Sequence, residues 1–342
     1  MPSLSQPSRQ VRRCGARLRP SGDRVVGTSV IIVYTLLGGF LAVSWTDLVQ
    51  GLLMAAALLA VPLMALEGGR AATGLTQIPP ELLDPFTDRE GQALGWIAIV
   101  SLVAWGLGYF GQPHIVVRFM AVKSSREIPK ARLVGMTWMV LALYGAIFTG
   151  FAGIAYFADQ PLENSETVFI NLSQVLFNPW VAGVLLAAIL SAIMSTIDSQ
   201  LLVSSSALTE DFYKAILRPD ASQTELRWVG RITVAVIAVI AILLAFDPES
   251  TVLGLVAYAW GGFGAAFGPV IILSLFWKRM TRNGALVGMI LGAVTVIVWK
   301  QLSGGIFDMY EILPGFILCT LGIIVASRMD KEPGAEIQSE YS

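Results

Sequence analysis

The feature that most constrains this chain is the recurrence of long apolar runs broken by short charged loops. Such runs lie at about 25–44, 48–66, 94–112, 133–157, 180–207, 229–246, 251–277, 284–301 and 311–327. Most reach the ~20 residues that an α-helix needs to cross the hydrocarbon core of a bilayer. Inside lipid every backbone N–H and C=O must be paired within the segment, so runs of this length are read as helices. The expectation is an all-α polytopic membrane protein with about nine transmembrane helices. Only 14% of residues are charged, and they sit in the loops, so the net charge of -1 points to no nucleic-acid partner. Cys14 and Cys319 are far apart and suggest neither a disulfide framework nor a metal site. A single histidine, His114, argues against a His-based metal centre or a catalytic triad, and no P-loop or Gly-x-Ser-x-Gly elbow occurs. No enzyme and no prosthetic group are expected.

Loop charge sets the orientation. Arg118, Lys123, Arg126, Lys130 and Arg132, then Lys214, Arg218, Arg227 and Arg231, then Lys278, Arg279 and Arg282 occupy one set of loops. The alternate loops hold only Arg70 and Arg89, so twelve cations face two. Basic residues concentrate on the cytoplasmic side, which places the first set and the tail from 329 to 342 inside. Nine spans then put the N-terminus outside, in conflict with the six arginines of the Ser- and Pro-rich leader at 1–24. The leader is therefore read as disordered and as foreign to the membrane domain, which runs from 25 to 328.

One run carries polar residues where lipid disfavours them. Between Ala187 and Gln200, the residues Ala192, Ser195, Thr196 and Ser199 fall within about 100° of helical arc. Asp198 stands at the edge of that face. Hydroxyls and a carboxylate on a membrane helix should turn to a cavity, a partner helix or an ion. The plain alternative is that the hydroxyls bond back to their own helix. Trp105, Tyr109 and Pro113 recur at four-residue spacing, an aromatic stripe that packing alone would explain. Glycine pairs such as Gly288 with Gly292 are read as close helix packing.

Several strings resemble the sodium/solute symporter family: Thr35–Asp47, Trp105–His114, Ala187–Val203, Ala207–Lys214, Tyr258–Pro269 and Met280–Ala285. The resemblance covers about 27 to 328 and is strongest toward bacterial members that carry proline. It implies a LeuT-type core of inverted repeats, of which this chain holds core helices four to ten and two peripheral helices. The first core helices are expected to be missing, as in an N-terminally truncated form. The implied activity is sodium-coupled import of L-proline by alternating access across the bacterial inner membrane, with Na+ as coupling ion and no cofactor.

What the resemblance implies for single residues is specific. The Ala192 carbonyl and the Ser195 and Thr196 hydroxyls would bind Na+, a hard cation suited to oxygen donors. Asp198 and Asp47 are cation-related candidates, with a structural role for Asp198 and a helix N-cap role for Asp47 as the plain alternatives. Trp105, Tyr109 and Pro113 would face the substrate, where Pro113 with Gly108 and Gly111 would loosen the helix. Tyr258 and Trp260, beside an expected glycine-rich break, are candidates for a gate. Two other readings stay open: a non-transporting remnant or sensor on the same scaffold, and a symporter for another small organic solute.

Overall fold

The computed structural model describes residues 20–67, 78–88, 90–244 and 252–333. The expected leader lies outside the described residues as far as residue 19, and the tail does so from 334 onward. Among the described residues the only regular elements are helices, with one isolated bridge between Thr87 and Ala93. They are α1 (Pro20–Glu67), α2 (Trp96–Ala104), α3 (Pro113–Met120), α4 (Ile128–Tyr156), α5 (Val168–Leu176) and α6 (Pro179–Ser206). After these come α7 (Gln223–Leu244), α8 (Val252–Phe276), α9 (Arg282–Trp299) and α10 (Ile312–Met329). A 3-10 stretch, Trp105–Gly111, continues α2, and a wider π-helical stretch, Ala207–Leu217, continues α6.

Six segments among the described residues are long and apolar enough to cross a membrane: Val43–Glu67, Ser125–Tyr156, Pro179–Leu217, Leu253–Phe276, Arg282–Trp299 and Ile312–Met329. Trp96–Gly111 is a shorter apolar helix. Large apolar side chains stand exposed at the surface, Phe276 at 81% and Met329 at 85%. Apolar exposure on that scale suits a lipid solvent, not water. The chain is a multi-pass, all-helical membrane protein.

The expectation of two short spans joined by a turn at Asp47 is corrected, because α1 runs unbroken from Pro20 to Glu67. No glycine or proline interrupts Trp45-Thr46-Asp47, and the Thr46 hydroxyl donates back to the Val43 carbonyl at 2.9 Å. Asp47 thus lies inside a helix and caps nothing. A second correction concerns Gly261 and Gly262: α8 continues through them without a break. Its glycines serve close approach, as the contact of Gly264 with Gly108 illustrates: a Cβ on Gly264 would sit 2.7 Å from the Gly108 Cα.

The helices divide into two compact units. In the first, α1, α4, α5 and α6 bury Ala57, Val61, Ala152, Leu172, Leu185 and Ala188 together. Asn178 starts α6 by accepting from the Trp180 and Val181 amides at 3.1 Å, with Pro179 at the first helical position. In the second unit, Ala104, Ala265, Val296 and Ile312 form the buried centre. There α9 lies close against α10 at Gly288 and against α8 at Gly292, because neither residue carries a side chain. A Cβ at Gly288 would come 2.9 Å from the Cys319 carbonyl, and one at Gly292 would come 2.6 Å from that of Ala265. The expected small-residue packing is what these glycines do.

Candidate functional site

The second unit holds the aromatic residues singled out in the sequence. α2 loses its α-helical winding at Trp105, continues as a 3-10 turn to Gly111, and passes through extended Gln112 (φ -80°, ψ 114°) into α3 at Pro113. Pro113 has no N–H to give the preceding turn, and glycines at 106, 108 and 111 let the chain tighten. The expected loosening is thus present, as a departure from α-helical winding over the seven residues Trp105–Gly111, about two turns of 3-10 helix.

Rings converge on that break. Trp105 stacks on Trp260 with centroids 5.7 Å apart and planes 15° from parallel. Tyr109 meets the same indole edge-on at 4.8 Å. The Trp260 indole N–H donates to the Trp105 carbonyl at 2.9 Å, which binds α8 to the broken segment. The site is crowded: a Cβ at Gly108 would collide with the Trp260 indole, and one at Gly111 with the Phe263 carbonyl. Tyr109 remains 40% exposed, so its ring presents a free side.

Trp260 therefore joins the aromatic group, whereas Tyr258, 37% exposed, lies two residues away on another face of α8. Two residues were missed by sequence reasoning. Tyr310 stacks on Trp105 at 6.0 Å, donates its hydroxyl to the Ala257 carbonyl at 2.6 Å, and donates its backbone amide to the Ser101 hydroxyl oxygen at 2.9 Å. Gln112 is buried, and its amide donates to the carbonyls of Gly108 and Trp260, both at 3.2 Å. No spacing rule could find Tyr310, which comes from a loop far along the chain. Gln112 was visible as the one amide in an apolar, glycine-rich run.

Just beyond, half-buried His114 is held below the ordinary imidazole range, first by burial and then by the Arg118 charge. It is neutral at neutral pH.

The first unit holds the polar seam. On α6 the Ser195 hydroxyl donates to the Ala192 carbonyl at 3.2 Å and the Thr196 hydroxyl donates to the same carbonyl at 3.0 Å. Three oxygens thus meet at one point on an open face, since Ala192 and Thr196 are exposed. The hydroxyls bond back to their own helix, and by rotation of their protons the same oxygens can all turn lone pairs to a cation. Beside them is a largely apolar groove of about 340 Å³, lined by Met54, Leu58, Trp138, Phe169, Ile189 and Ala192.

Asp198 does not belong to this open face. It is fully buried, together with Ser191 and Ser205, each seven residues away along α6. Seven residues return nearly to the same angle on a helix, so these three form a second, interior polar stripe. The seven-residue spacing of Ser191, Asp198 and Ser205 is visible in the sequence, but only packing distinguishes this stripe from the Ser195–Thr196 face. Asp47 lies part-buried on α1.

The fold is thus a multi-pass helical one in which a short apolar helix is broken under aromatic rings, with a separate cluster of hydroxyl and carbonyl oxygens on α6. Residues 25–292 match the family described as the sodium:solute symporter family, and the chain belongs to it. It is 56% identical to a sodium/proline symporter of Salmonella typhimurium and 55% identical to one of Escherichia coli, over 92% of this chain. The match spans 64% of the length of each of these relatives. A high-affinity proline transporter of Bacillus subtilis is 50% identical over 92% of this chain and 67% of its own length. In fold, the chain resembles a Na+-coupled sialic acid symporter in a substrate-bound outward-open state, with a TM-score of 0.71 at 20% identity. That likeness covers 94% of this chain and 69% of the other. The all-α, multi-pass fold expected from the sequence agrees with that likeness.

Proposed function

We propose that this chain is the substrate- and ion-binding part of a sodium-coupled importer of L-proline. The observation that carries the reading is the break at Trp105–Gly111 with Trp105, Tyr109 and Trp260 gathered on it. Proline is a small apolar ring with a carboxylate and an ammonium. Aromatic faces suit the ring, and backbone groups near an irregular stretch suit the charged ends, since unwound membrane helices free donors and acceptors. Pro113 and the exposed side of Tyr109 complete that face. The sodium:solute symporter relatives at 50–56% identity, named for proline, support the choice of solute.

Coupling is assigned to Ala192, Ser195 and Thr196. A transporter harvests an ion gradient when the ion binds one conformation better than another, and these three oxygens on an open face of α6 would provide such a difference when further ligands complete the ion's shell in one conformation only. Asp198 supports the interior of α6 and Asp47 the middle of α1. Trp260 acts as the gate-side ring, and Tyr258 is not needed for it. The tail after α10 faces the cytoplasm, on the strength of Lys278, Arg279 and Arg282 in the adjoining loop. The membrane is the bacterial inner membrane.

The test is uptake of labelled L-proline into cells lacking their own carrier, with and without a sodium gradient. It is measured for this chain and for the chain extended at its N-terminus by the corresponding residues of a relative. Saturable, sodium-dependent uptake in either supports the reading. Its absence from both, or equal competition by pantothenate or a sugar, overturns the proline assignment.

A further inference from the structure

Trp260 is tied to the broken helix at two points, by its ring and by its backbone. The ring nitrogen donates to the Trp105 carbonyl at 2.9 Å. The carbonyl of the same residue accepts from Gln112 Nε2 at 3.2 Å, and that nitrogen also donates to the Gly108 carbonyl at 3.2 Å. Gln112 is 4% exposed and stands where the backbone turns extended before Pro113. A primary amide brings two N–H donors on one nitrogen, the number needed to reach two carbonyls at once. Gly108 and Gly111 remove any side chain that would hold the two elements apart.

We propose that Gln112 is the positioning residue of the substrate face: it holds Trp260 in register with Trp105 and Tyr109 and so sets how the three rings are placed. It does this without touching the solute. The inference rests on the reading of Trp105, Tyr109 and Pro113 as the proline-binding face. A buried side chain that only filled space would be replaceable by an apolar one of equal volume, because packing would be kept. Gln112 is not replaceable in that way, because its loss leaves the Gly108 and Trp260 carbonyls without this donor and lets the indole shift.

The experiment compares Gln112→Met and Gln112→Glu with the parent, in whichever of the two proteins described above transports. Proline KM, maximal rate and sodium half-saturation are measured from pH 5 to 8, with the amount of protein in the membrane determined for each. Gln112→Met keeps the shape and removes both donors; the expected result is a rise of about tenfold in proline KM, with sodium half-saturation unchanged. Gln112→Glu keeps the shape and, when ionised, sets a carboxylate against two carbonyls. Its proline KM should be high at pH 8 and fall toward the parent value as the buried carboxyl takes a proton and regains an O–H donor. The parent should show no such variant-specific recovery.

A parent that transports while Gln112→Met keeps its KM overturns the inference and leaves the proline reading standing. So does a loss confined to maximal rate, or a Gln112→Glu variant with no recovery on acidification. A parent that takes up no proline overturns both. If Gln112→Met fails to reach the membrane, the pH profile of Gln112→Glu decides alone.

Discussion

Ala192 is the carbonyl on which two hydroxyls depend, and the geometry gives each a separate weight. In the proposed ion site, removing the Thr196 or Ser195 hydroxyl would delete one of the three oxygens offered to the cation. Contacts to charged groups contribute about 1.5–3 kcal/mol, so Ser195→Ala and Thr196→Ala should each raise the sodium concentration for half-maximal uptake by roughly tenfold or more. Proline KM at saturating sodium should change little, and unchanged sodium dependence in both would remove these residues from the ion site. Asp198 predicts the opposite pattern. Being fully buried, it should disturb folding when exchanged, so Asp198→Leu is expected to lower the amount of protein in the membrane before it alters sodium affinity. Wild-type abundance with a large sodium shift would return Asp198 to the ion site. At this scale the sequence was a good guide to which residues matter and a poorer guide to where they face. Helical angles separated Asp198 from Ser195 by only about 60°, yet packing places one in the interior and the other on an open surface. That choice depends on neighbours from other helices, which no local pattern records.

Helices in the second unit meet through missing side chains, and the consequence is a sharp contrast between glycines. A methyl group at Gly292 would sit 2.6 Å from the Ala265 carbonyl, whereas one at Gly135 on α4 meets nothing within 4 Å. Gly292→Ala should therefore cost about 1–3 kcal/mol, by overpacking. Gly135→Ala should be neutral or stabilising by up to about 1 kcal/mol, because alanine restricts the unfolded chain and favours helix. Melting of the detergent-solubilised protein checks both, and equal effects would refute the close-approach account. Most helices were legible as elements: α4, α6, α8, α9 and α10 fall within a few residues of the apolar runs. Two connections were not. A turn was expected at Trp45–Asp47 because two spans seemed to need one, but those residues have no conformational bar to helix. A break was expected in α8 on its glycines, although glycine only permits a break, and backbone pairing inside a membrane favours continuing the helix. The break came instead at the end of α2, where Pro113 removes an N–H outright.

Across the molecule, the ionisable groups outside the spans set how stability responds to acid. His114 is held low, so the folded state favours neutral imidazole; its contribution is present above the ordinary value of 6.5 and is lost as pH falls through the folded value. Glu225 is lowered by the hydrogen bond from the Tyr213 hydroxyl at 2.6 Å. Asp330 is lowered first by the Lys331 backbone amide and next by Thr281, with Asn283 and Arg279 adding to it. Their contributions are likewise lost on acidification, but below the ordinary carboxyl values of 4.5 and 3.8. The melting temperature should thus fall in two stages between pH 8 and 3. In His114→Gln the upper stage should vanish and the lower one remain, and a single stage in the parent would exclude the role given to His114.

The unbroken α1 fixes a length. Forty-eight residues at about 1.5 Å each give a rod of about 72 Å, while the hydrocarbon core is only about 30 Å deep. A rod of that length cannot be immersed whole. Residues 28 and 63 would stand about 52 Å apart along it, and only about 10–20 Å apart if insertion folded it at Trp45–Asp47 into two antiparallel spans. Spin labels at Thr28→Cys and Leu63→Cys in a bilayer read that separation directly. The long distance would mean that roughly half of α1 projects into water, and the short one that Asp47 sits at the crest of a hairpin on the membrane surface.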